Sequence, residues 1–124
     1  MFDDQITFLY VSDIEHSAAF YGNRLNLPLV LVQPAGCHIY RTGKSSYIGL
    51  CAARPDKQPG GSGVVLCLVT QDVDAWYTRL SAADVPCDGP PRLNADYGIY
   101  HFYFRDPDGY LMEIQRFEKP DWAG

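Results

Sequence analysis

Two segments of the chain share one pattern, in which a strand-like run of β-branched and aromatic residues leads into a run with helical apolar spacing. In ITFLYVSDIEHSAAFYGNRLNLP the helical apolar positions are Ile14, Ala18, Tyr21 and Leu25. In VVLCLVTQDVDAWYTRLSAADVP they are Val73, Trp76, Tyr77 and Leu80. Asp13 and Asp72 precede the helical runs as candidate N-caps and stand 59 residues apart. The chain is therefore predicted to contain two copies of one unit that begins with a strand and a helix.

Three short strand-like runs follow each predicted helix. The first set is LPLVLVQ, CHIYR and SSYIGLCA, separated by the turn-forming PAG and TGK. The second is CDGPPRL, which is a weak strand or a loop, followed by GIYHFYF and YLMEIQRF. Each half is thus predicted to be β-α-β-β-β, with halves at about residues 4–53 and 63–118. Residues 54–62, rich in proline and glycine, form the predicted linker. We expect an α+β fold of paired βαβββ modules in a single domain over residues 1–124.

Composition narrows the classes of function. The chain is 47% apolar and 20% charged and has no apolar run long enough for a membrane helix, so no membrane partner is expected. With a net charge of −5 and few, scattered basic residues, nucleic acid is not an expected partner either. The start MFDDQITF does not resemble a signal peptide, which makes a cytoplasmic location the default. Cys37, Cys51, Cys67 and Cys87 show no CxxC pairing, so we expect reduced thiols.

Three motifs resemble a known superfamily. The opening VSDIEHSAAFY, its echo TQDVDAWYTRL and the ending FYFRDPDGYLMEIQRF are similar to the vicinal oxygen chelate superfamily of glyoxalases, bleomycin resistance proteins and extradiol dioxygenases. The resemblance covers residues 5–117, and the closing motif is its most specific part. It implies paired βαβββ modules whose mixed sheets curl around a cavity, commonly within a homodimer. Because members share a fold and differ in function, each site residue has to be argued separately.

Metal-using members of this superfamily carry ligands on the first and last strands of each half. The resemblance places these four positions at Ile6, Gly49, Val65 and Glu113, and Ile6 and Val65 are again 59 residues apart. Isoleucine, glycine and valine offer no imidazole or carboxylate donor for a divalent cation. We therefore predict that no metal binds at the family position and that the protein uses no cofactor.

Glu113 is a lone carboxylate inside the apolar strand YLMEIQRF, where burial without polar partners would be costly. By similarity to members with the same FYF.DPDG ending, His101 and Tyr103 share its sheet face. The turn then places Tyr103 opposite Glu113 and His101 opposite Gln115. Two interpretations stay open: Glu113 is an inert, hydrogen-bonded remnant of a metal ligand, or it is catalytic together with His101 and Tyr103.

The remaining expected ligand-binding residues are mostly apolar or aromatic: Ile6, Phe8, Tyr10, Tyr47, Gly49, Val65, Cys67 and Gln115. Such walls suit a small organic ligand, and the many tyrosines favour an aromatic one, unless these rings only fill the core. The first hypothesis is a metal-independent protein that sequesters an aromatic or polycyclic ligand in the cavity between the modules. The alternative is a lyase, isomerase or dioxygenase-like enzyme that uses Glu113 with His101 or Tyr103, or with a metal at Glu113.

The predicted partners are a small organic ligand and a second copy of the chain. Homodimerisation is suggested by the resemblance, and apolar strands such as LPLVLVQ need cover that a partner chain would supply.

Overall fold

The structure, a computed structural model, describes residues 1–119 and divides into two compact units. The first unit comprises Met1–Gly61 together with Pro107–Gly109, and the second comprises Ser62–Asp106 and the chain from Tyr110 onward. The single domain over residues 1–124 stays a prediction, and its last five residues lie outside the described part.

The first unit has the predicted order of elements. These are strand β1 (Gln5–Val11), helix α1 (Ile14–Ala19) with a following π-helical turn (Phe20–Arg24), and strands β2 (Leu29–Val32), β3 (His38–Arg41) and β4 (Ser46–Ala52). The sheet order is β1-β4-β3-β2, in which β1 runs parallel to β4 and the other pairs are antiparallel. Asp13 caps α1 as predicted, because its side chain accepts a hydrogen bond of 3.1 Å from the amide of His16.

The second unit repeats this order with shorter outer strands. Its elements are β5 (Leu66–Val69), α2 (Val73–Ala82), β6 (Arg92–Asn94), β7 (Ile99–Arg105) and β8 (Leu111–Phe117). The sheet order is β5-β8-β7-β6, and β5 runs parallel to β8. Asp72 takes the N-cap position of α2, but its side chain makes no capping hydrogen bond. Val65, placed on a strand by the sequence pattern, lies one residue before β5 begins.

Each sheet buries one face under the helix of its own unit. In the first unit the buried face contains Leu9, Val11, Ile48 and Leu50. In the second unit it contains Phe102, Phe104, Met112 and Ile114. Because neighbouring strand residues point to opposite faces, the predicted site residues, which alternate with these, lie on the other face of each sheet.

Two four-stranded mixed sheets with short helices confirm the predicted α+β class. No helix within residues 1–119 combines the length and the hydropathy needed to cross a membrane. The cytoplasmic location stays a prediction.

The expectation of four reduced cysteines is wrong for two of them. Cys37 and Cys51 form a disulfide, with Cα atoms 4.4 Å apart. Strands β3 and β4 are antiparallel with His38 opposite Leu50, so the next pair in this register brings the two cysteines together. The pairing is set by the hairpin register rather than by a short sequence spacing. Cys67 and Cys87 are free thiols.

Candidate functional site

The face of the second sheet that lies away from its helix carries two adjacent cross-strand rows of polar residues. Cys67, Glu113 and Tyr103 form one row across β5, β8 and β7. His101 and Gln115 lie opposite each other in the next row. The predicted register, with Tyr103 opposite Glu113 and His101 opposite Gln115, is confirmed. We call these five residues the polar face.

Glu113 is bonded to a histidine at the centre of the polar face. Nδ1 of His101 lies 2.7 Å from Oε2 of Glu113, and the two residues are only 4% and 7% exposed. With Glu113 ionised and the imidazole neutral, Nδ1–H of His101 donates to the carboxylate, and Nε2 of the same ring is an acceptor. The ring of Tyr103 meets the imidazole edge to face, with centroids 5.1 Å apart. Of the two predicted partners, the imidazole is the one that forms the hydrogen bond with the carboxylate.

The carboxylate also acts on its cross-strand neighbours. Burial, the charge of Glu113 and a hydrogen bond to Glu113 together raise the pKa of the Cys67 thiol to about 12, although part of Cys67 is exposed. Burial first, and then the Glu113 charge, raises the pKa of the Tyr103 phenol. Both groups therefore keep their protons at neutral pH, and each is a weak acid that can donate a hydrogen bond.

The corresponding face of the first sheet is aromatic and holds five more of the predicted residues. Ile6, Phe8 and Tyr10 follow one another along β1, and Tyr47 and Gly49 on β4 lie opposite Ile6 and Phe8. Ile6 is 40% exposed and Phe8 is 44% exposed, so two neighbouring large apolar side chains on this face are left partly uncovered. We call these five residues the aromatic face.

Three cations contact the tyrosines of the aromatic face, and the sequence reasoning missed all of them. The guanidinium of Arg41 lies 5.1 Å from the ring centroid of Tyr47. The guanidinium of Arg54 and the ammonium of Lys57 lie 5.6 Å and 5.9 Å from the ring centroid of Tyr10. Arg41 and Tyr47 stand equally far from the centre of the β3–β4 hairpin, a signal that was present in the sequence. Arg54 and Lys57 fall in the predicted linker, where no periodicity indicates their direction.

Comparison with known protein families identifies the superfamily of this chain. The family model described as Glyoxalase/Bleomycin resistance protein/Dioxygenase superfamily matches residues 4–114. The chain belongs to this superfamily.

Solved structures of several superfamily proteins are similar to this chain. TnmS3, an antibiotic binding protein from Streptomyces sp. CB03234, is 30% identical, with a TM-score of 0.78 over 94% of this chain and 96% of that one. Lactoylglutathione lyase from Agrobacterium tumefaciens is 26% identical, with a TM-score of 0.72 over 97% of this chain and 96% of that one. A superfamily member from Sphaerobacter thermophilus DSM 20745 is 25% identical, with a TM-score of 0.79 over 94% of this chain and 98% of that one.

The ligand positions of metal-using members of the superfamily do not fit a metal in this chain. Ile6 and Val65 are hydrocarbon side chains, and the carboxylate of Glu113 is already bonded to an imidazole. At Gly49 the Phe8 ring lies so close that an added Cβ would be 2.6 Å from its Cδ1 atom. Among residues 1–119, no group of three or more His, Cys, Asp or Glu side chains is arranged to hold a metal ion. These residues support no reaction step through a metal at this position.

Proposed function

We propose that this superfamily member binds a small aromatic molecule and releases it chemically unchanged. The observation that carries the proposal lies at Gly49, a ligand position of metal-using members. There the chain has a glycine covered by the ring of Phe8, and 44% of Phe8 remains exposed. A flat apolar ring in this place offers a stacking surface rather than a metal ligand.

Burial of apolar surface supplies the driving force for such binding. Ile6 lies two residues from Phe8 on the same face and is 40% exposed. A planar ligand that covers these side chains removes apolar surface from water. The similarity to an antibiotic binding protein that is 30% identical supports this assignment. A cavity between the modules stays a prediction from the sequence.

A ligand screen tests the proposal. Native mass spectrometry of the full chain against a panel of aromatic and polycyclic natural products, antibiotics among them, should reveal a complex that Phe8→Ala weakens. The control is Phe2→Ala, which removes a phenylalanine ring that is 97% exposed and lies before β1. Equal affinity of both variants for every bound compound would contradict a site at Phe8.

The bond between His101 and Glu113 favours a second candidate function, proton transfer. With Nδ1–H held by Glu113, Nε2 of His101 can remove a proton from a carbon next to a carbonyl group and return it to another atom of the substrate. This is the chemistry of an isomerase or lyase, and lactoylglutathione lyase is a superfamily neighbour at 26% identity. Tyr103, whose raised pKa keeps it protonated, can donate a hydrogen bond to the substrate oxygen.

Incubation in heavy water separates the two functions. A sequestered ligand is recovered with its original mass and structure. An enzyme incorporates deuterium or forms a product, and Glu113→Gln or His101→Gln abolishes that change. Recovery of unchanged ligand in every case excludes the enzyme for the compounds tested.

We further propose that the protein is a homodimer. Strand β2 lies at the edge of the first sheet, and its four apolar residues, Leu29–Val32, are 43% to 52% exposed. An exposed apolar edge strand invites pairing with another chain. Sedimentation should give a dimer at micromolar concentration, and Leu31→Lys should dissociate it, whereas Leu93→Lys on the edge strand β6 should not. A wild-type monomer would contradict the proposal.

A further inference from the structure

We infer that the ligand of the aromatic face is a planar aromatic anion, such as an arene bearing a carboxylate. This inference rests on the proposed small-molecule binding and names the charge that the ligand carries. It starts from the placement of cations on a chain whose net charge is −5.

The aromatic face has a cation at each end and an apolar middle. Tyr47 lies opposite Ile6 at the start of β1, and Tyr10 lies near the end of the same strand. Ile6 and Tyr10 are four positions apart along the strand, a distance of about 13 Å. Phe8, the exposed ring that lies on Gly49, is midway between them. The dimensions suit a fused ring system that stacks on Phe8 and reaches toward either tyrosine.

Each end of the aromatic face carries at least one positive charge. Arg41 contacts the ring of Tyr47 at one end, while Arg54 and Lys57 contact the ring of Tyr10 at the other. Arg54 has a carboxylate neighbour, since its Nε lies 3.7 Å from Asp56. Arg41 and Lys57 form no ion pair with any residue in 1–119. Two uncompensated cations therefore border the apolar middle.

The contact with a tyrosine ring holds each cation above the sheet face. A side chain restrained by a cation–π contact loses less rotamer freedom when it meets an anion. Arg41 is further restrained because its guanidinium donates a hydrogen bond of 3.2 Å to the carbonyl of Lys44. An acidic group on a ring stacked over Phe8 would find a positive partner at either end, whereas a cationic group would be repelled.

Three fluorescent probes of one shape and different charge test the inference: anthracene carboxylate, its neutral hydroxymethyl analogue and its cationic aminomethyl analogue. Fluorescence anisotropy with the full chain should rank the affinities carboxylate, alcohol, ammonium, with about tenfold between the first two. Added salt should reduce the preference, because the cations are exposed and screened.

Substitutions locate the preference on the aromatic face. Lys57→Gln and Arg41→Gln should each lower the affinity for the carboxylate probe about threefold to fivefold and leave the affinity for the alcohol unchanged. Lys119→Gln removes the same charge from an exposed position in the second unit and should change neither. Phe8→Ala should lower the affinity for all three probes.

The outcomes distinguish this inference from the proposed function. Equal binding of all three probes, with loss on Phe8→Ala, would overturn the anion preference and leave small-molecule binding at Phe8 standing. Carboxylate binding that is unaffected by Phe8→Ala, Arg41→Gln and Lys57→Gln, or weakened as much by Lys119→Gln, would overturn the inference. Absence of binding for all three probes to folded protein would count against both.

Discussion

Nδ1 of His101 and Oε2 of Glu113 are 2.7 Å apart, and both side chains are almost completely buried. The two residues lie on neighbouring strands of one hairpin, in adjacent cross-strand rows rather than directly opposite each other. Such a buried pair contributes to folding only while both members are present, because each alone would be a buried polar group without its partner.

His101→Ala should therefore lower the free energy of unfolding by about 3 kcal/mol. Glu113→Gln should cost less, because a neutral amide still offers the imidazole a hydrogen-bonding group. Urea unfolding measures both, and His16→Ala, at an exposed position on α1, is the matched control. A loss for His101→Ala as small as that for His16→Ala would contradict a stabilising pair.

Alkylation of Cys67 should be slow at neutral pH and rise steeply only toward strongly alkaline pH, because burial and the Glu113 carboxylate raise the pKa of its thiol to about 12. Glu113→Gln removes the charge and should shift the labelling curve of Cys67 to lower pH. Peptide mass spectrometry after iodoacetamide treatment measures the extent of alkylation of Cys67 and of Cys87 separately. Cys87 serves as the internal control, since its curve should not move.

The same pKa predicts a dependence of stability on pH. Folding favours the neutral thiol of Cys67, so its contribution is complete below the ordinary pKa of 9.0 and is lost as the pH rises toward about 12. The fall in unfolding free energy over this range should be smaller in Cys67→Ala than in the wild type. Identical slopes for the two proteins would contradict this contribution.

The effect of Gly49→Ala on the free energy of unfolding should depend in sign on the residue at position 8. In the wild type the added methyl group would lie 2.6 Å from Phe8 Cδ1, so the ring must shift and stability should fall by about 1 to 2 kcal/mol. In a Phe8→Ala background the same change should raise stability by about 0.5 to 1 kcal/mol, the usual gain of alanine over glycine.

The control for this double-mutant cycle is Gly22→Ala. Its methyl group would meet nothing closer than Tyr40 Cε1 at 3.6 Å. Urea unfolding should give the same effect of Gly22→Ala with phenylalanine or alanine at position 8. A Gly49→Ala effect that is likewise independent of position 8 would show that the ring does not lie over the glycine.

Loss of the disulfide between Cys37 and Cys51 should destabilise the protein. The cysteines are 14 residues apart, and closing a loop of this size contributes about 3 kcal/mol. Urea unfolding with and without reductant should differ by this amount in the wild type and not at all in a Cys37→Ser, Cys51→Ser variant. Cys87→Ser should retain the full response, and a wild type insensitive to reductant would contradict the bond.

The strands, their order along the chain and the register of the β7–β8 hairpin could be predicted from the sequence. Alternation along a strand and the residues of a tight turn depend on a few neighbouring positions, so both can be predicted from the local sequence. This is why the sequence predicts the observed pairs of Tyr103 with Glu113 and of His101 with Gln115. The β3–β4 hairpin held the same kind of information for Cys37 and Cys51, which are equidistant from its centre.

Tertiary structure alone decided which side chains bond across these rows. The parallel pairing of β1 with β4 and of β5 with β8 joins segments far apart in the chain, and it brings Cys67 to Glu113. The choice of His101 over Tyr103 as the partner of Glu113 depends on side-chain rotamers. Cation contacts with Tyr10 come from the linker, whose path no local pattern specifies. Local propensity fixes strands and turns, whereas contacts between distant segments depend on how the whole chain packs.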